Sequence, residues 1–253
     1  MIVLLPVYLP DSRLTELAAA LRAEAPAAHV VIIDDGSGPS AAGVLDAAGR
    51  TGAAVLRQAA HRGKGAALKA GLRHVADAVP GRTVVTADGD GQHRVEDILR
   101  VGRHAGATNR IALGARRFDT AVPPRSRIGN ALTGALFRAA TGRRIRDTQT
   151  GLRGFPAATL PWLCSIPGDG FDYEMNVLLA AVAAGRELDE VEVSTTYLDG
   201  NSGSHFAPLA DSLRVYRPLL RHALSRATGA PTQRAAPGAE TASPDAARGR
   251  GRR

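Results

Sequence analysis

Short uninterrupted apolar runs alternate along this chain with stretches of helical spacing, and that alternation restricts the fold more than any other feature. The runs fall at residues 2–5, 30–33, 54–56, 83–86 and 111–113, and a further strand is expected at 188–193. A strand that is apolar throughout has to be covered on both faces, as strands of parallel sheets are. Between the runs, Leu14, Leu17, Ala18 and Leu21 recur at helical spacing behind Asp11 and Ser12, either of which can cap the helix. Further helices are expected over residues 43–48, from Gly63-Lys64-Gly65 through Leu68, Leu72 and Val75, over 95–104, and over 173–184. Strand and helix in turn predict a mostly parallel α/β sheet of the doubly wound kind, flanked by helices, in one domain.

In such a sheet the ligand crevice lies at the C-terminal ends of the strands. Three runs end there in polar residues. The first leads into Pro6-Val7-Tyr8, the second into Asp34-Asp35-Gly36-Ser37, and the fourth into Asp88-Gly89-Asp90-Gly91-Gln92-His93. Adjacent acidic turns repel unless a cation or hydrogen-bond donors lie between them. Asp88, Asp90 and the amide of Gln92 suit a hard divalent cation that keeps coordination places for phosphate oxygens. Asp34 or Asp35 can accept from a nucleobase N–H or a ribose hydroxyl. No G-x-x-x-x-G-K-[ST] occurs, and Gly63-Lys64-Gly65 lacks the third glycine of a dinucleotide fingerprint, so metal and side chains have to neutralise a diphosphate. Arg116 and Arg117, after the fifth run, are candidate partners, since arginine clamps phosphate bidentately.

The formal net charge of +8 suits a polyanionic partner, although an Arg-rich C-terminus supplies part of it. With one cysteine, Cys164, no internal disulfide forms, which fits a reducing cytosol, and its apolar surroundings predict a core residue. No segment reaches the ~20 apolar residues of a membrane span. Residues 123–146 instead interleave Arg125, Arg127, Arg138, Arg143, Arg144 and Arg146 with Ile128, Leu132, Leu136 and Phe137. That pattern suits a helix lying on an anionic bilayer, and Arg214, Arg217 and Arg221 extend the basic character on a last helical region at 208–225. The globular domain is expected over residues 1–226, with a disordered tail rich in Arg, Ala, Pro and Gly over 227–253.

Taken in order, the three acidic or polar loops, Arg62-Gly63-Lys64-Gly65, Asp147-Thr148-Gln149-Thr150-Gly151-Leu152-Arg153 and Ser204-His205-Phe206 resemble family 2 glycosyltransferases. The dolichol-phosphate mannose synthase-like branch, whose acceptors are polyprenyl phosphates, is the nearest in motif. The resemblance runs from residue 2 to about residue 224. It implies a GT-A fold, a GDP- or UDP-sugar donor, Mg²⁺ or Mn²⁺, and a polyprenyl phosphate acceptor. It places Asp88, Asp90 and Gln92 at the metal, Pro6, Tyr8, Asp34 and Asp35 at the nucleoside, and Lys64 and Arg116 on the donor side. Two departures stand out: Leu9 and Pro10 follow Tyr8 where an acidic residue is common, and Gly89 stands inside the usual Asp-Ala-Asp. Membrane helices, frequent in that branch, are missing, so attachment falls to the basic surface or to a membrane-protein partner.

The implied reaction is a single inverting displacement at the anomeric carbon. A phosphate acceptor is largely dianionic near neutral pH, its second pKa being about 6, and needs positioning by cations more than a base. Arg125, Arg127 and Arg153 are the candidates for that task. Asp147 would serve as base for a soluble or glycan hydroxyl acceptor, the main alternative, or else order its Thr-rich loop. His93 and Glu174 are possible accessories. A non-catalytic module binding membrane or nucleic acid is disfavoured by the acidic turns, and no nucleic-acid partner is expected. The expected location is the cytoplasmic face of a membrane, as a peripheral protein.

Overall fold

The computed structural model describes residues 1–116, 124–194 and Leu219, with the side chains of 124–128 left aside. Seven strands form one sheet: β1 (Ile2–Val7), β2 (His29–Asp34), β3 (Ala54–Arg57), β4 (Val84–Thr86), β5 (Ile111–Arg116), β6 (Arg153–Phe155) and β7 (Leu188–Val193), in the order β3-β2-β1-β4-β6-β5-β7. All neighbours are parallel except β6, which runs antiparallel to both β4 and β5.

β1 is buried along its whole length, as its continuous apolar run requires. Its alternate residues divide the interior in two. Ile2 and Leu4 join Val31, Ile33, Leu68, Leu72, Val75, Phe137, Leu163 and Leu178 on one face. Val3, Leu5 and Val7 join Leu14, Leu17, Leu21, Leu45, Ile98 and Val101 on the other. Helices α1 (Ser12–Glu24), α2 (Ala42–Arg50) and α4 (Val95–Thr108) cover the second face, while α3 (Lys64–Ala78), α5 (Pro124–Thr141), α6 (Leu160–Ser165) and α7 (Asp172–Ala183) cover the first. Each fully buried leucine contributes about 2 kcal/mol.

Local signals set the ends. Asp11 caps α1, its carboxylate accepting from the Arg13 amide at 3.0 Å. α4 stops at Asn109 in the left-handed conformation, φ 54°. Cys164 is half-buried against the first core, and burial pushes its thiol pKa up.

Two elements depart from the sequence expectation. The segment 153–155, expected within a loop and its exit, is the strand β6, and α6 had no counterpart. The amphipathic stretch is helical, but its apolar residues do not share one outward face. Phe137 is in the core, Leu136 is partly buried against it, and Leu132 stands 50% exposed. The expected helix at 208–225 lies outside the described residues apart from Leu219, which is helical and buried in the first core. Arg117, Ser204-His205-Phe206 and the tail lie outside them as well. Among the described residues no helix is long and apolar enough to cross a membrane.

Candidate active site

The register places the polar strand ends side by side: Pro6 pairs with Ile33 and Val7 with Asp34, while Thr86 lies level with Leu4. Loops leaving β1, β2 and β4 therefore meet at one edge. The β1 and β2 loops are sewn together, since Ser37 Oγ accepts from the Leu9 amide at 2.8 Å and the Asp35 amide donates to the Val7 carbonyl at 2.9 Å.

The paired aspartates at the end of β2 turn out to be scaffold. Asp34 and Asp35 are 3% and 2% exposed. Asp34 Oδ1 accepts from the Ser37 amide at 3.0 Å. Asp35 accepts from the Arg62 and Gly63 amides at 2.9 and 2.7 Å, and from His61 Nδ1 at 2.8 Å. For their expected reading of base or ribose this means that one Asp34 oxygen and both Asp35 oxygens already hold backbone or His61. Gly36, at φ +72°, is required here because a Cβ would lie 2.3 Å from the Ala60 carbonyl carbon, so the two loops touch backbone to backbone. Tyr8 lies against His61, ring centroids 4.0 Å apart and tilted by 31°.

Across the crevice, Lys64 opens α3 and bridges two acids that are far apart in sequence. Its Nζ lies 2.7 Å from Asp88 Oδ1 and 3.1 Å from Glu174 Oε2. Burial disfavours the ammonium, yet the two carboxylates outweigh it and raise its pKa. Burial works against the Asp88 carboxylate too, and Lys64 with a lesser part from His93, 3.9 Å away, brings its pKa well below the usual range. Gly63 and Gly65 make this approach possible. A Cβ on Gly63 would sit 2.5 Å from the Asp169 carbonyl oxygen, and one on Gly65 2.5 Å from Tyr173 Cβ. The glycines of this motif thus serve packing of α3 against the loop before α7.

The two aspartates expected to share a cation differ in their partners. Asp88 is committed to Lys64, whereas Asp90 Oδ1, among the described residues, accepts from the Gln92 amide at 3.0 Å. Burial, then the charge of Asp88, pushes the Asp90 carboxyl up. Asp88, Asp90 and Glu174 set three carboxylates against two cations, the Lys64 ammonium and the buried Arg153 guanidinium, on which Glu174 and Asp88 act electrostatically. A divalent cation at Asp90 fits that excess of negative charge. Among the described residues no group of three or more His, Cys, Asp or Glu is arranged to hold a metal, so further ligands would come from water or a bound phosphate.

Two other expectations change. Arg116 clasps Asp147 bidentately, Nε to Oδ2 at 2.5 Å and Nη2 to Oδ1 at 3.0 Å, and Asp147 is completely buried. Asp147 also accepts from the Gln149 amide at 3.2 Å. Neither a general-base role for Asp147 nor a diphosphate-clamping role for Arg116 agrees with this pairing; together they order the 147–153 loop. Arg153 is 2% exposed, and its guanidinium donates to the carbonyls of Thr150 at 2.9 Å, Glu174 at 2.7 Å and Thr148 at 3.5 Å. It ties that loop to α7 and is corrected from an acceptor-binding to a structural residue. Glu174, expected from sequence to bind Arg153 or the sugar, meets Arg153 through its main-chain carbonyl and Lys64 through its carboxylate. The side chains of Arg125 and Arg127 lie outside the described residues. Thr86 Oγ1 donates to the Gly151 carbonyl at 3.0 Å, fixing the loop beside β4.

The sequence model of glycosyl transferase family 2 matches residues 2–158. Uncharacterized protein MJ1222 of Methanocaldococcus jannaschii is 27% identical over 203 residues, which span 78% of this chain and 82% of that protein. The solved structure of glucosyl-3-phosphoglycerate synthase from Mycobacterium tuberculosis, in complex with Mn²⁺, uridine diphosphate and glucosyl-3-phosphoglycerate, has a TM-score of 0.65 at 17% identity and covers 92% of this chain and 81% of its own. The mannosyltransferase PcManGT from Pyrobaculum calidifontis, in complex with GDP-Man and Mn²⁺, has a TM-score of 0.51 at 17% identity, covering 91% and 75%. This chain shares its overall fold with both structures.

Proposed function

Because the chain belongs to glycosyl transferase family 2, we propose that it moves a hexose from a GDP- or UDP-sugar to a polyprenyl phosphate at a membrane surface, with Mg²⁺ or Mn²⁺. The observation that carries the donor side is the cluster of Lys64, Asp88, Glu174 and Asp90 at the strand ends, a negative pocket with one fixed ammonium. Asp90 would hold the cation, Gln92 standing beside it, and the cation when bound offsets charge on the departing nucleoside diphosphate. Lys64 supplies a fixed positive charge to the same phosphates, and Glu174 with Asp88 keeps it in place. Metal-free binding and a glycine loop are both poorer fits for phosphate in a pocket with this excess of acid, which repels it unless a cation lies between.

The state of Asp147 bears on the acceptor. A hydroxyl nucleophile needs a base, and the carboxylate expected to supply one is buried beneath Arg116. A phosphate monoester brings its own ionised oxygen. That supports a phosphate acceptor. A lipid carrier is supported by the outer side of α5 and the turn after it, where Ala131, Leu132, Ala135, Arg138, Arg143 and Arg144 are exposed together. A soluble acceptor is the second reading. It is favoured by the burial of Phe137, which leaves little apolar surface to insert, and by the phosphoglyceric acid bound in a solved relative of the same fold.

The deciding experiment offers UDP-glucose and GDP-mannose, with Mn²⁺ or Mg²⁺, to undecaprenyl phosphate in detergent and to 3-phosphoglycerate. Glycolipid formation supports the proposal, while transfer to the soluble acid alone overturns its acceptor. A companion test replaces Arg138, Arg143 and Arg144 with Gln. Each basic residue near an anionic bilayer contributes about 1 kcal/mol, so the loss is about 3 kcal/mol, or roughly a hundredfold in partitioning. Cosedimentation with anionic liposomes at low and high salt measures it. A wild type that ignores liposomes at low salt, or a variant that binds as well as wild type, would refute the interfacial role of this surface.

A further inference from the structure

We propose that His61 is the residue that reads the nucleobase of the donor. The proposal rests on the nucleotide-sugar reading above and names the residue that gives it base preference. The two aspartates are buried, at 3% and 2% exposure, Asp34 Oδ1 being held by the Ser37 amide and both Asp35 oxygens by backbone amides and His61. His61 is the polar ring that remains open at this corner of the crevice, its side chain 50% exposed.

Its position is over-determined. Gly36 brings the Ala60–His61 backbone against the β2 loop, where an added Cβ would lie 2.4 Å from the His61 nitrogen. The buried Asp35 carboxylate fixes Nδ1 at 2.8 Å. Tyr8 lies against one face of the ring at a centroid distance of 4.0 Å. Together Tyr8 and His61 make an aromatic platform at the mouth of the β1 and β2 loops, of the kind on which any base can stack. Donation of Nδ1–H to Asp35 selects the tautomer, because the partner of one ring nitrogen decides the role of the other. In the neutral ring Nε2 is then an acceptor, and among the described residues it has no partner. An acceptor at that point suits a base whose ring edge offers an N–H, as uracil and guanine do, and is a poor match for cytosine or adenine, whose ring nitrogens there carry lone pairs. Asp35 acts through His61 as a positioning residue.

Calorimetry on the full chain with Mn²⁺ tests this, using UDP, GDP, ADP, CDP and inorganic diphosphate as probes. Wild type is expected to bind UDP or GDP about tenfold or more tightly than ADP and CDP. His61→Ala is expected to weaken the preferred nucleotide about tenfold, the size of a lost stacking contact, and to leave inorganic diphosphate unaffected. His61→Phe restores the ring and most of the affinity, without the preference between bases. Unchanged nucleotide affinity in His61→Ala, or an undiminished preference in His61→Phe, overturns the role of His61 alone. If His61→Ala does not fold by circular dichroism, the His61→Phe result decides. Wild type that binds inorganic diphosphate but prefers ADP or CDP also overturns it. Wild type that binds none of the nucleotides overturns the nucleotide-sugar reading and this inference together.

Discussion

Asp90→Asn is expected to reduce sugar transfer at least about a hundredfold while the fold stays intact. The substitution keeps the shape of the side chain and its acceptor for the Gln92 amide, so the turn at 3.0 Å has no reason to open. What it removes is one negative charge from a pocket whose other acids are already engaged, Asp88 and Glu174 both being paired with Lys64. A divalent cation in such a site stabilises the transition state by several kcal/mol, and losing about 3 kcal/mol of it corresponds to roughly a hundredfold in rate. The same change relieves repulsion, because Asp88 and burial both push the Asp90 carboxyl up. Thermal stability without metal should therefore be equal to wild type or slightly higher, while the stabilisation that Mn²⁺ and UDP give together should disappear. Activity and melting temperature measured side by side decide the matter. Wild-type activity in excess chelator, or full activity of the variant, would refute the placing of a cation at Asp90.

The contrast between Asp88 and Asp90 shows where sequence reading stops. Two carboxylates one residue apart, each followed by glycine after a β-branched run, were legible as an acidic turn at a strand end. Which of them is neutralised was not, because the neutralising Lys64 and its second acid Glu174 come from other parts of the chain. The strands β1 and β2 were legible because apolar runs have no other use in a sheet covered on both sides. β6 was hidden, since three residues containing arginine and glycine carry no period. Its Arg153 is tolerated inside only because three carbonyls receive its donors. α6 was hidden for a similar reason: six residues with a proline in the first turn give too short a pattern. In α5 the spacing gave the helix but not its buried side, which is set by where Phe137 meets the first core. His61 carried no signal at all, being one histidine between alanine and arginine, and it gains meaning only when Asp35 and Tyr8 arrive beside it.

Lys64→Met is expected to cost both activity and stability, and to reverse the way stability responds to acid. Lys64 and Glu174 are 16% and 13% exposed, and Asp88 is 36% exposed. Removing one partner of a buried ion pair costs about 3–5 kcal/mol because the remaining charge is left uncompensated. Water screens Asp88 in part, so about 2–3 kcal/mol is the expected loss. For a chain of this size that lowers the melting temperature by about 5–10 °C. In wild type the Asp88 pKa is depressed. Its contribution is therefore complete above the ordinary carboxylate value of about 3.9 and is lost only as pH falls through the lower folded value. In the variant Asp88 no longer has the ammonium that brings its pKa down, which leaves burial to push it up, as burial and Asp88 push Asp90 up. Such groups bind more protons when folded, and folding then becomes more favourable as pH falls. Between pH 8 and pH 5 the variant should accordingly recover part of its deficit against wild type. Denaturant midpoints at the two pH values measure this directly. Equal midpoints for variant and wild type at pH 8 would mean that Lys64 is not the counter-charge of this cluster. A deficit that stays constant down to pH 5 would mean that the loss comes from packing around the lysine stem.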